Sequence, residues 1–234
     1  MNKALTVAKI NFRNMKLAVI LTAITCACGI VQDIVMTILE VSGVSTYHAE
    51  GLMSISNFLL LLIPLSAVFI PSLNYRKMMN LGGKRGSFFT GCFVNHTLIA
   101  AGVSLAGVVL YYTYERLILS LHGGGWTLSV LYWFGWLDSG PAVAFLQQFA
   151  FLLLAASLIH TLVTAQDKWY GWAADLAIVA VIAVFTPIAP LRAALVWFFN
   201  LIIFSAPLLQ ISSCLVLAVA VYALNKPMLA RKAI

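Results

Sequence analysis

Lysine and arginine punctuate this chain unevenly: twelve of the fourteen fall in alternate gaps between its apolar runs. The six runs are 17–39, 52–73, 89–112, 141–164, 172–186 and 199–224. Lys3, Lys9, Arg13 and Lys16 precede the first, and Arg76, Lys77, Lys84 and Arg85 separate the second from the third. Lys168 follows the fourth, and Lys226, Arg231 and Lys232 follow the sixth. The remaining gaps hold only Arg116 and Arg192. Basic residues beside a membrane span stay on the cytoplasmic side. The pattern therefore predicts six crossings with both termini inside.

A chain that is 62% apolar and 9% charged cannot cover a globular surface in water. The net charge of +7 follows the insertion rule and anionic lipid, and implies no nucleic acid. A span takes about 20 residues. The chain thus reads as one transmembrane domain, 1–234, without room for a soluble catalytic domain. The run 17–39 exceeds the usual signal-peptide core of about 7–15 residues, and the Cys-Ala-Cys at 26–28 is no clean cleavage site. It reads as a retained span. Cys26, Cys28, Cys92 and Cys214 all sit in apolar runs and read as small hydrophobes without a disulfide.

Hydrocarbon cannot satisfy an open backbone, so every run should be helical. The fifth is short and ends in Thr186-Pro187-Ile188-Ala189-Pro190, after which the chain is again apolar. A re-entrant outer segment, 187–199, is expected between spans five and six. In residues 1–16, Met1, Ala4, Leu5, Ala8, Phe12 and Met15 fall in one helical sector. Asn2, Thr6, Lys9, Arg13 and Lys16 fall in the next, with Val7 and Ile10 interrupting. This predicts an amphipathic helix lying along the inner leaflet. Segment 114–140 carries Trp126, Tyr132, Trp133, Phe134 and Trp136 after Gly123-Gly124-Gly125, which predicts a short surface helix anchored by boundary aromatics.

The largest cytoplasmic loop, 74–88, starts basic, has an apolar pair at Met78 and Met79, and then a double glycine. A helix over 75–81 ended by a left-handed Gly82 is expected. It reads either as a docking element for a partner protein or as a basic loop on lipid headgroups. Its Gly-Gly-Lys-Arg-Gly-Ser is no phosphate loop. The pattern G-x-x-x-x-G-K-[ST] would need glycine where Met78 stands and a hydroxyl where Arg85 stands. If ATP is used, another chain binds it.

Polar residues inside the runs are candidates for function. They are Asp33, Asn95, His96, Gln147, Gln148, His160, Asp175, Asn200, Gln210, Ser212 and Ser213. Mid-span charge is absent, which argues against a proton relay. Cys92, His96, His160 and Asp175 share a depth and include zinc-ligand types. The tight spacing of a metal motif is missing, so inter-helix hydrogen bonds are the preferred reading and no metal is expected. The Leu-Asp-Ser-Gly at 137–140 lacks the first glycine of an intramembrane serine-protease G-x-S-G.

With an amphipathic start, six runs, a basic loop after the second and a proline-broken segment after the fifth, the chain resembles the membrane (permease) subunit of an ABC-2 type exporter. The stretches "AKINFRNMKLAVIL" and "NYRKMMNLGGKRG" are similar to small six-span permeases of Gram-positive bacteria. The resemblance implies an all-α integral protein of the bacterial cell membrane that is not itself an enzyme. Its implied partners are a nucleotide-binding ATPase subunit, which holds ATP and Mg, and a second copy of this chain or a related permease. It implies export of an amphiphilic peptide or hydrophobic small molecule. Coupling to the ATPase would fall to Tyr75, Arg76, Lys77, Met78, Met79 and Asn80, and the pathway to Asp33, Gln147, Gln148 and Asn200. Two alternatives stand beside it: the substrate-capturing membrane subunit of an ATP-driven importer, and an intramembrane metal-dependent enzyme.

Overall fold

The structure, a computed structural model, describes residues 3–43, 52–121, 127–166 and 168–231. Met1, Asn2, the glycines at 123–125, Trp126 and Lys232, used in the sequence reading, lie outside the described residues. The described residues are helical apart from turns and one short parallel bridge, Leu52–Met53 with Thr127–Leu128. Helix α1 is Lys3–Asn14 and α2 is Lys16–Val41. The long helices are α3 (Ile55–Asn80) and α4 (Arg85–Ser120). Helix α5 is Val130–Trp133, α6 is Pro141–Ala165 and α7 is Trp169–Phe185. Helix α8 is Ala189–Phe204, α9 is Pro207–Ala223 and α10 is Asn225–Arg231.

Among the described residues, five helices are long and apolar enough to cross a membrane: the spans built on α2, α3, α4, α6 and α9. Helices α7 and α8 meet the same test only as a pair, bent by 117° at the Pro187 break. This is a multi-pass membrane protein.

Local chemistry sets the helix ends. The Ser54 hydroxyl accepts from the Ser56 N–H at 3.2 Å and caps α3. Pro71 has no N–H to give the helical ladder, and α3 widens there into a π turn, Ile70–Asn74, without ending. The turn rotates Tyr75 into the core, where it is fully buried. Gly83 N–H then bonds Met78 O at 2.9 Å and Gly82 N–H bonds Met79 O at 3.0 Å. With Gly82 at φ +77°, this is a left-handed glycine stop.

The expected helix at 75–81 thus exists over Tyr75–Asn80, but as the end of the second span and not as a separate rod. Similarly α4 runs past the expected edge at 112 through a π turn, Tyr111–Glu115. The sixth run, drawn from 199, begins at Pro207. Residues up to Phe204 belong to the bent arm, and Ser205 and Ala206 make the break, because Pro207 favours a first helical turn and opposes continuation.

Two other expectations need correction. The buried side of α1 is Val7, Ala8 and Asn11, continued by Met15 just after its end, packed on the bundle, while Leu5 and Phe12 are exposed. Val7, read as an interruption, is core. Trp136, read as a boundary anchor, is 1% exposed and its indole N–H donates to Ile203 O at 3.0 Å. Tyr132 and Trp133 are exposed, as boundary aromatics would be.

The core lies where α4, α6 and α9 pack together, with α3 and α1 against them. Helices α4 and α6 are antiparallel, since His96 meets His160 while Ser104 meets Gln148. Helices α6 and α9 run the same way, since Gln210 bonds Gln147 O and Thr161 bonds Val221 O. The bent α7–α8 arm therefore returns the chain along the length of the bundle. That arm and α2 stand at the margins: Gly171 is the one buried residue of α7, and α2 buries only a line through Ala18, Thr22, Gly29 and Asp33.

Candidate functional site

One end of the bundle gathers α1, the α3–α4 turn and α10. Asn11 ties it together from a fully buried position. Its Oδ1 accepts from Asn74 Nδ2 at 3.1 Å, and its Nδ2 donates to Cys92 Sγ at 3.6 Å. Beside it the Tyr75 ring meets Phe88 edge-on at 5.4 Å and its hydroxyl donates to Leu229 O at 3.5 Å.

The six coupling candidates divide by helix face. Tyr75, Met78 and Met79 are buried in the bundle's own core, whereas Arg76, Lys77 and Asn80 are exposed. Leu81, at 83% exposure, projects beyond them. The apolar pair is thus occupied by this chain itself, and what faces outward is two cations, an amide and one leucine. Lys9, Arg13, Lys16, Lys84 and Lys226 are also exposed, and neither α1, α10 nor the 75–90 stretch contains an acidic residue. The surface formed by α1, the 75–90 stretch and α10 is basic.

A polar seam runs between α4, α6 and α9. The Ser104 hydroxyl donates to Phe145 O at 2.8 Å and lies 3.3 Å from Gln148 Oε1. Gly107 lets the same glutamine in: a Cβ there would stand 3.2 Å from Gln148 Oε1. The Gln210 amide donates to Gln147 O at 3.4 Å and Ile202 O at 3.2 Å. Further along, His96 Nε2 and His160 Nδ1 are 3.0 Å apart, with Tyr222 against both rings. Tyr222 donates to Phe89 O at 2.7 Å, and Asn225 Nδ2 donates to Thr161 Oγ1 at 2.7 Å. Within the described residues, both side-chain polar atoms of Asn95, Ser157 Oγ and the Oε1 atoms of Gln147 and Gln210 are buried without a hydrogen bond.

At the opposite end, buried Glu115 accepts from Ser54 and from the Ser56 N–H, and Tyr114 donates to Asp33 Oδ2 at 3.4 Å. Arg116 stacks over the Tyr112 ring at 4.8 Å.

The four pathway candidates do not converge within one chain. Gln147 and Gln148 lie in the seam, Asp33 is bonded to Tyr114 and Asn200 is exposed on the bent arm. The metal-type quartet also separates. His96 meets His160, but Cys92 is bonded to Asn11 and Asp175 to Gln166. Among the described residues no three His, Cys, Asp or Glu side chains converge on a point where a metal ion would sit. Sequence reading missed Asn11, Asn74, Glu115, Tyr222 and Asn225. A lone asparagine inside an apolar or basic helix was the signal for the first two.

The fold and the seam define a helical multi-pass membrane protein with one basic end. No family model, curated protein or solved structure matches the chain.

Proposed function

We propose that this chain is the transmembrane subunit of an ATP-driven exporter in a bacterial cell membrane. It crosses six times with both termini inside, the bent α7–α8 arm serving as the fifth crossing and reaching the outer side at its tip. The basic end then faces the cytoplasm, in accord with the distribution of Lys and Arg. ATP and Mg belong to a separate ATPase subunit, and a second permease completes the pathway. The cargo class is an amphiphilic peptide or a hydrophobic small molecule, which suits the largely apolar bundle.

The observation that carries this reading is the stiff end of α3. Tyr75, Met78 and Met79 lock the last turn of the second span into the core, while Arg76, Lys77, Asn80 and Leu81 project from it. A push on that tip is transmitted along a continuous helix that spans the bundle. An acidic, partly apolar groove on a partner fits such a tip by charge and shape.

The test is affinity purification of the tagged chain in mild detergent, with ATPase assay and mass spectrometry. Co-purification of a protein carrying a phosphate loop, with ATP hydrolysis, is expected. A chain that purifies alone and without ATPase activity contradicts the reading.

A further inference from the structure

We infer that the hollow beside Ser129 binds an uncharged amphiphile of the surrounding bilayer, an apolar chain that ends in a hydroxyl or ester oxygen. The hollow has a volume of about 310 Å³ and lies where α3 begins, at the end of the bundle opposite the basic surface. Met53, Leu128, Val130, Trp133 and Phe134 make its apolar walls. Asn57 clamps the two stretches that form them. Its Nδ2 donates to Leu128 O, and its Oδ1 accepts from the Val130 N–H at 3.0 Å. The parallel bridge of Leu52–Met53 with Thr127–Leu128 fixes the same walls. Both ends of the Asn57 amide are used in this clamp.

One polar group remains. Ser129 is 0% exposed, it lines the hollow, and its Oγ has no hydrogen bond within the described residues. It stands at the N-cap of α5, where a serine hydroxyl ordinarily turns back onto the helix's own N–H groups. Here only its carbonyl serves the helix, accepting from the Trp133 N–H at 2.9 Å, and the hydroxyl does not cap. A buried hydroxyl left unbonded is costly, so it calls for a partner. The walls decide which partner fits. A bare acyl tail offers no hydrogen bond. A phosphate needs a cation, and no cationic side chain lines the hollow. A single uncharged head oxygen satisfies Ser129 while its chain covers the aromatic and aliphatic walls. The exposed Tyr132 and Trp133 mark the membrane boundary, where such heads sit. The site lies at the far end of α3 from Arg76 and Lys77 and requires no ATPase.

The experiment reconstitutes the full chain in phosphatidylcholine vesicles and adds a long-chain alcohol with a photoreactive diazirine in its tail. Mass spectrometry maps the label. Labelling is expected within 52–57 and 127–134. Unlabelled alcohol and diacylglycerol should compete, and the alkane of equal length should compete about tenfold less well. Ser129→Ala should weaken the alcohol about tenfold and leave the alkane unchanged. Met53→Trp, at a half-exposed position on the rim, should block both by filling the hollow with Ser129 intact. Label spread evenly over exposed helix faces, such as that of Leu176 on α7, means contact with bulk bilayer only and overturns the inference. Equal competition by alcohol and alkane, or alcohol binding unchanged in Ser129→Ala, also overturns it.

Discussion

His96 Nε2 lies 3.0 Å from His160 Nδ1, and both rings are fully buried, so one imidazole hydrogen bond fastens α4 to α6 inside the apolar bundle. One ring donates and the other accepts. Removing either ring takes away a bond whose counterpart has no water to turn to. His96→Leu and His160→Leu should each destabilise the protein, and the double variant should lose less than the sum. Double-mutant cycles in membrane bundles give couplings of roughly 0.6–1.7 kcal/mol. Unfolding in detergent measures this, and strict additivity would contradict an energetically coupled pair.

Asn11 serves two partners at once, so Asn11→Ala strands the Asn74 amide and frees Cys92. A buried polar group left unpaired costs about 1–3 kcal/mol. Helix α1 should loosen from α4, and Cys92, fully buried in the native chain, should then react with a maleimide. Unchanged Cys92 protection would mean that α1 is held by apolar contacts alone.

Two glycines should respond in opposite directions to the same methyl group. At Gly171 a Cβ would stand 2.3 Å from the Ala165 carbonyl oxygen, which is backbone and has no rotamer to escape into. Overpacking of this kind costs roughly 1–3 kcal/mol, so Gly171→Ala should lower the melting temperature. Nothing lies within 4 Å of a Cβ at Gly86, in the first turn of α4. There Gly86→Ala should gain up to about 1 kcal/mol from helix propensity.

Glu115 joins the start of α3 to the end of α4 by accepting from Ser54 and from the Ser56 N–H. Glu115→Gln keeps an acceptor and should be mild. Glu115→Ala removes it, and thermal unfolding should show the larger loss there. Equal losses would show that the carboxylate charge, and not the hydrogen bonding, matters.

The apolar runs, the left-handed Gly82 and the Pro187 break were all legible in the sequence, because hydrocarbon and proline act locally. What stayed hidden depends on tertiary packing. In a chain this apolar, lipid-facing and core-facing positions carry the same residues, so Val7 and Trp136 gave no sign of being core. The second run was drawn only to 73, but the π turn at Pro71 lets the helix continue to Asn80. Asn11 bonds Cys92, Glu115 bonds Ser56 and Tyr222 bonds Phe89, each at least 59 residues away in sequence, so nothing local announces these bonds. Of the candidate site, the helix over 75–80 was legible in the sequence. That three anchor and three project was not, because only the π turn sets their phase.

In the proposed function the exposed tip of the second span receives the work of an ATPase. This is tested most directly by Arg76→Glu/Lys77→Glu in the purified complex, reading ATP hydrolysis and transport together. Both side chains are exposed, so insertion and folding should be preserved. The ATPase should dissociate, or hydrolysis should no longer drive transport. Full coupling in the charge-reversed complex would contradict it.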